Sequence, residues 1–137
     1  MTHLLDIDDL TKTDIDSILK LATELKQSHL DGNVPSLLHG KTLSMLFEKP
    51  STRTRVSFEV GMNMLGGNAI TFDLSQLQLS RGETLSDTTK SLSLYVDAFL
   101  ARVNDHSLLE QLSSTSEIPI INGLSDKSHP CQALADL

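Results

Sequence analysis

The sequence predicts an α/β fold in which a four-stranded parallel sheet lies between layers of helices, a three-layer α/β/α arrangement. Short apolar runs of strand length alternate with longer segments of helical periodicity, and strands that alternate with helices at this spacing pair in parallel. The first run, Thr42 to Phe47, is too brief for a helix and largely apolar, which suits a buried strand. At 137 residues the chain is long enough for one domain that buries roughly two-thirds or more of its unfolded surface. It shows neither repeats nor linkers.

From Thr13 to Leu30 the apolar residues Ile15, Ile18, Leu19, Ala22 and Leu25 form a helical stripe, stopped by Asp31-Gly32-Asn33. Thr42 to Phe47, set between Gly40 and Pro50, is the first strand. After Pro50 and Ser51 the pattern turns helical through Val56, Phe58, Val60, Met62, Met64 and Leu65, and ends at Gly66-Gly67. Ala69 to Phe72 is the second strand, and Asp73 to Glu83, without periodicity, reads as a surface loop. Thr84 to Tyr95 is helical and opens on a capping arrangement of Thr84 with Asp87. Ala98 to Val103 is the third strand, Ser107 to Ser114 a short helix, and Ile118 to Asn122 the fourth strand. Pro130, favoured at a first helical position, opens a last helix running through Ala133, Leu134 and Leu137. The stop inside that helix is expected to mark a truncation.

Eighteen acidic against eleven basic residues give a formal charge of −7, which argues against binding a nucleic-acid backbone or an anionic membrane surface. The lone Cys131 can form no internal disulfide, and no Cys/His cluster has zinc-like spacing, so no metal is expected. Met1 to Asp9 lacks the features of a signal peptide, and no apolar run approaches the ~20 residues of a membrane span. A cytoplasmic location is expected.

In an open parallel sheet, ligands bind beyond the carboxyl ends of the strands. Every unusual polar cluster falls at that edge: Glu48 to Arg55 after the first strand, Arg102 at the end of the third, Asn122-Gly123 and His129-Pro130-Cys131-Gln132 beyond the fourth. Ser51 to Arg55 opens a helix, whose free N–H groups and dipole favour an anion such as phosphate. The plainer alternatives are that Ser51 is only an N-cap with solvated arginines, that Arg102 pairs with Asp97 or Asp105, and that His129 is a helix cap. Cys131 reads as a small buried residue and not a nucleophile. His3, His29, His39 and His106 read as surface residues, and Met45, Met62 and Met64 as core filler.

The run Phe47-Glu-Lys-Pro-Ser-Thr-Arg-Thr-Arg-Val-Ser-Phe-Glu59 closely resembles the Ser-Thr-Arg-Thr-Arg signature of the carbamoyltransferases, and His129-Pro-Cys-Gln-Ala-Leu-Ala-Asp136 resembles their second signature. Gln78 to Asp87 and Leu100-Ala-Arg-Val103 also look like family segments, in order. The resemblance covers nearly the whole chain and implies a sheet order of 2-1-3-4. It implies that residues 1–137 are the carbamoyl-phosphate-binding half, with the amino-acid-binding domain absent from this chain. Phe-Glu-Lys-Pro and His-Pro-Cys-Gln look like the ornithine branch; Arg81 stands where the aspartate branch usually carries a Lys, and that branch is the close alternative. A stand-alone phosphate-binding domain on the same fold is the reading from another class.

The resemblance implies transfer of a carbamoyl group to the side-chain amine of ornithine, giving citrulline and phosphate, with no cofactor. Ser51, Thr52, Arg53 and Thr54 would cradle the phosphate, while Arg102, His129 and Thr54 would point at the carbamoyl oxygen. Gln132 would orient the carbamoyl amide, and Gln78 would reach carbamoyl phosphate across a subunit boundary. The implied partners are the two small substrates and further copies of the chain in a trimer-based homo-oligomer. The isolated chain is expected to make citrulline poorly or not at all. The arginine-biosynthetic and catabolic directions share these motifs.

Overall fold

Successive side chains of a strand point to opposite faces, and along β1 (Thr42–Phe47) both sets are buried. Leu43, Met45 and Phe47 face one way and pack with Leu100, Phe58 and Met62; Leu46 faces the other and packs with Phe99, Ala101, Leu109 and Ile120. A strand buried on both faces needs a layer on each side. In the computed structural model, which describes residues 2–76, 82 and 84–137, that is the arrangement found. β1 pairs in parallel with β2 (Asn68–Asp73) on one side and β3 (Ala98–Arg102) on the other, and β4 (Ile120–Leu124) lies outside β3. The order β2-β1-β3-β4 is the one the resemblance implies.

Helix α2 (Thr52–Met64) covers one face through Phe58 and Met62. Helices α3 (Leu85–Ser93) and α4 (His106–Thr115) cover the other through Leu85, Leu92, Leu109 and Leu112. α5 (Pro130–Ala135) lies against β4. α1 (Lys12–Leu30) opens on a capping box in which Thr11 Oγ1 accepts from the Asp14 N–H at 3.2 Å and the Asp14 carboxylate accepts from Thr11 N–H at 2.9 Å. Its stripe joins neither core: Ile15, Leu19 and Leu25 are half-buried, and Ile18 and Leu21 are exposed. Among the described residues no helix is long and apolar enough to cross a membrane.

The boundaries depart from the sequence reading where backbone hydrogen bonding overrides composition. The fourth strand begins at Ile120, not Ile118, because Pro119 has no N–H to give a ladder. Its carbonyl instead accepts from Phe99 N–H at 2.9 Å, while Ile118 is closed into a turn by the Ser116 hydroxyl. α3 stops at Ser93, leaving Leu94 and Tyr95 exposed at 78% and 81%. α5 ends at Ala135 with Asp136 as its C-cap and does not continue to Leu137. Two short 3-10 turns, Ile7–Asp9 and Leu74–Gln76, were legible only as irregular chain. Met64 is exposed and not core filler, whereas Met45 is fully buried.

β1 connects outward to β2, and β3 connects in the opposite direction to β4, so the strand order reverses between β1 and β3. The crevice beyond the carboxyl ends of that pair is where a ligand is expected. The edge is shaped by a bulge: Ala101 aligns with Asn122 but Arg102 with Leu124, leaving Gly123 as the extra residue. A Cβ on Gly123 would stand 2.7 Å from Leu100 Cδ2, so the fully buried Leu100 side chain would have to shift within the core. Gly123→Ala should therefore cost about 1–3 kcal/mol. The expected reading is a lower urea midpoint with an unchanged slope; an unchanged midpoint would mean that the core beneath the bulge is loose.

Candidate functional site

Arg102 ends β3 at the switch point. Its guanidinium crosses to the start of α2, where Nη1 donates to Ser51 Oγ at 2.9 Å and to Thr54 Oγ1 at 3.2 Å. Neither plainer alternative for Arg102 holds. Asp97 is held by Lys41 Nζ at 2.9 Å and by the Thr42 N–H at 2.8 Å, and Asp105 caps α4 by accepting from Ser107 N–H at 2.9 Å. These hydrogen bonds also hold both carboxyls below the usual carboxylate range. Among the described residues Arg102 has no carboxylate partner.

Ser51 sits at the N-cap of α2 with extended backbone but makes no side-chain cap. A hydroxyl that accepts from a guanidinium keeps its own proton to give away. Ser51 and Thr54 are thus set as donors at the positive end of a helix, beside a cation that no carboxylate among the described residues neutralises. Arg53 lines the same cleft and, among the described residues, has no ion-pair partner. Arg55 does not share that role. Its Nε donates to Glu59 Oε1 at 3.0 Å, Thr71 Oγ1 donates to the same oxygen at 2.8 Å, and Arg55 lines a separate hollow on the far side of α2. Thr71, and then Arg55, hold the Glu59 carboxyl low.

Across the cleft, His129 occupies the N-cap position of α5 without capping it, and its Nδ1 is buried with no hydrogen-bond partner among the described residues. Burial, and then the nearby charge of Arg102, push its pKa below the ordinary 6.5. The ring is therefore neutral at pH 7, with one N–H and one lone pair. Gln132, one turn on, donates from Nε2 to Asp136 Oδ1 at 2.8 Å, which leaves its Oε1 free to accept an N–H. Burial pushes the Cys131 thiol up, and its Sγ leans on the Asn122 carbonyl at 3.7 Å, so it is no nucleophile.

The cleft has a volume of about 580 Å³ and brings together Ser51, Thr52, Arg53, Thr54, Arg102, His129 and Gln132. Gln78 and Arg81 lie outside the described residues. The walls add Pro50, Ser57, Phe58, Leu124, Cys131 and Ala135, which sequence reasoning did not assign to the site. Ser57 and Phe58 stand three and four positions beyond Thr54, so helical spacing was a usable signal for them. Leu124 had no such signal. Its φ of 142° is rare for a branched side chain and costs on the order of 1–3 kcal/mol; its N–H is held by Asn122 Oδ1 at 2.9 Å. His106, read as a surface residue, is buried, and its Nδ1 meets Ser125 Oγ at 2.7 Å. His3 is half-buried and accepts from the Ile120 N–H at 3.1 Å, while His29 and His39 are exposed.

The domain is a three-layer parallel fold whose switch-point cleft carries hydroxyl donors at a helix start and two arginines, Arg53 and Arg102, without a carboxylate partner among the described residues. The profile of the family described as aspartate/ornithine carbamoyltransferase, carbamoyl-P binding domain, matches residues 2–137, and the chain belongs to that family. It is 54% identical over 134 residues to the ornithine carbamoyltransferase of Bacillus subtilis, covering 98% of this chain and 41% of that protein. The solved ornithine carbamoyltransferase of Pyrococcus furiosus superposes with a TM-score of 0.93 at 54% identity, over 98% of this chain and 43% of the other. A putative aspartate carbamoyltransferase from Trypanosoma cruzi superposes with a TM-score of 0.92 at 31% identity, over 98% and 47%. The chain thus spans about two-fifths of the length of the curated relatives it matches.

The electrostatics of His129 can be read directly by NMR of the chain. Its ring should titrate below 6.5, and saturating phosphate should raise the midpoint, since a nearby dianion favours the imidazolium. A midpoint that phosphate leaves unmoved would put the ring outside the field of the bound anion.

Proposed function

We propose that the cleft binds carbamoyl phosphate and presents its carbamoyl carbon to the side-chain amine of ornithine. The carrying observation is Arg102, a cation with no carboxylate partner among the described residues, which braces Ser51 and Thr54 opposite a neutral His129 with a buried, unpartnered nitrogen. Residues 1–137 are read as the carbamoyl-phosphate half of the enzyme, and the amino-acid substrate is assigned to the part of the relatives that this chain does not span.

In this reading Ser51, Thr52, Arg53 and Thr54 hold the phosphate by hydroxyls, backbone N–H groups and charge. Arg102, Thr54 and His129 donate to the carbamoyl oxygen, and Gln132 Oε1 accepts from the carbamoyl amide. The neutral amine attacks the carbamoyl carbon; the new C–N bond forms as the C=O π pair moves onto oxygen. The tetrahedral oxyanion meets donors already aimed at it, which is the larger source of acceleration beside alignment of the two reactants. Collapse breaks the bond to the phosphate oxygen, phosphate leaves with the electron pair, the amine nitrogen loses a proton, and citrulline results. The residues provide orientation and charge stabilisation, with no covalent intermediate on the protein.

The identity to ornithine enzymes supports ornithine over aspartate as the acceptor. A trimer-based assembly fits an apolar stripe on α2, Val56, Val60 and Met64 at four-residue steps, exposed together with Ile70 of the edge strand β2. Gln78 is assigned to a neighbouring subunit's cleft in that assembly. The cytoplasm is the proposed location and arginine biosynthesis the proposed setting.

Calorimetry of the chain with carbamoyl phosphate should show clearly weaker binding for Arg53→Ala than for the parent; equal affinity would remove Arg53 from the cradle. In the full-length enzyme, loss of one oxyanion donor commonly costs on the order of 10²–10³ in kcat. His129→Ala should show this loss mostly in kcat, whereas Arg102→Ala should also raise the KM for carbamoyl phosphate, because its charge acts on the phosphate as well. Identical kinetic profiles, or a kcat for His129→Ala within about twofold of the parent, under ~0.5 kcal/mol, would contradict these roles.

A further inference from the structure

One wall of the cleft is fastened from behind by groups that do not line it. Asn122 on β4 is fully buried, and its side chain bonds to the N-terminal segment, to the loop after β4 and to the end of its own strand. Nδ2 donates to Leu5 O at 2.8 Å and Ser128 O at 3.0 Å, and Oδ1 accepts from Leu124 N–H at 2.9 Å. Ser128 O belongs to the peptide that carries the nitrogen of His129, and Leu124 is the strained residue of the rim. The N-terminal segment completes the clamp. Leu4 pairs with Ile121 along the outer edge of β4, and Asp6 Oδ1 accepts from Ser128 Oγ at 2.8 Å while Lys127 Nζ stands 3.4 Å from its other oxygen.

We propose that Asn122 is a positioning residue for the carbamoyl-phosphate site, tying the loop that delivers His129 to a strap formed by Leu4 to Asp9. The inference rests on the reading of the cleft given above. A buried amide stabilises little more than an apolar side chain of its size unless its bonds are needed, and it costs when any of them is lost. Here the bonds to Ser128 O and to Leu124 N–H fix main chain at or beside a residue of the cleft, and the bond to Leu5 O ties both to the strap, so the network sets where the His129 ring stands. The loop after Leu124 also closes on itself, Ser125 N–H donating to Ser128 O at 3.0 Å and Ser128 N–H to Ser125 Oγ at 3.3 Å; Asn122 fixes that turn against β4 and the strap.

The test compares the parent chain with Asn122→Ala and Asp6→Ala, titrating each with inorganic phosphate and with carbamoyl phosphate by calorimetry, and following the His129 ring by NMR. Phosphate is held from α2, so its Kd should stay within about twofold. The preference for carbamoyl phosphate over phosphate should fall by about tenfold, the equivalent of one oriented hydrogen bond, and the His129 midpoint should rise toward 6.5. Asp6→Asn, which keeps the acceptor for Ser128 Oγ, should restore both. Equal weakening of the two ligands, or a lower melting temperature with preference and midpoint intact, would overturn the proposal and leave Asn122 a structural residue. If Asn122→Ala does not fold, the Asp6 pair decides. A parent chain with no preference for carbamoyl phosphate would refute the reading of the cleft itself, and the ring midpoint would still judge the positioning.

Discussion

The site depends on one cation that has no counter-ion among the described residues. Arg102 leaves the end of a central strand and, among those residues, its guanidinium is bonded to hydroxyls at the start of α2 alone. A half-buried guanidinium in that position gives up hydration and gains no carboxylate in return, so its unmet electrostatic demand is available to a ligand. The rest of the chain respects this. Although acidic residues outnumber basic ones by 18 to 11, the two carboxylates nearest to Arg102 in sequence are committed elsewhere, Asp97 to Lys41 and the start of β1 and Asp105 to the cap of α4, and on α2 Glu59 is committed to Arg55 and Thr71. Commitment of the acids is as necessary to an anion site as the presence of the bases.

Placing Arg102 there is the work of the core. β1 and β3 are the inner strands, their side chains buried on both faces, and a one-residue slip in either would exchange Leu100 and Ala101 between layers. The register that buries these residues fixes where Arg102 emerges and sets Ser51, four residues past the end of β1, beside it. The bulge at Gly123 then displaces the end of β4 by one residue, so Leu124, not Gly123, stands opposite Arg102. Two cores and one extra residue aim the chemistry.

Much of this was legible in the sequence because it rests on periodicity and on residue types with a single strong preference. The four strands, five helices, the capping pair at Thr84, the helix start at Pro130, and the clustering of Ser51, Arg102 and His129 at one sheet edge follow from apolar spacing, local residue preferences and the strand-end rule. What was not legible depends on long-range partners. Arg53 and Arg55 look equivalent two residues apart; the i, i+4 spacing of Arg55 and Glu59 was a usable helical signal, whereas the Thr71 hydroxyl that joins Glu59 from β2 was not. His106 resembles any exposed histidine at a helix start until Ser125 arrives from nineteen positions away to bond it. The strap formed by Leu4 to Asp9 has no periodicity, since it is held by single bonds to β4 and its following loop.

His129 shows how these levels combine. Its position before Pro130 suits a cap, yet it does not cap, and a buried nitrogen without a partner is a cost that stability alone gives no reason to retain. Arg102 makes the ring harder to protonate, so the free cleft presents a neutral imidazole beside fixed positive charge. Since the folded pKa is depressed, any stability tied to this group is present above the ordinary value of 6.5 and declines as pH falls through the lower folded value. An anion in the cleft acts in the opposite sense, easing protonation of the ring. The same bound group therefore answers the excess charge of Arg102 and reverses its effect on His129, which is why two residues from different strand ends are better understood as halves of one requirement than as separate features.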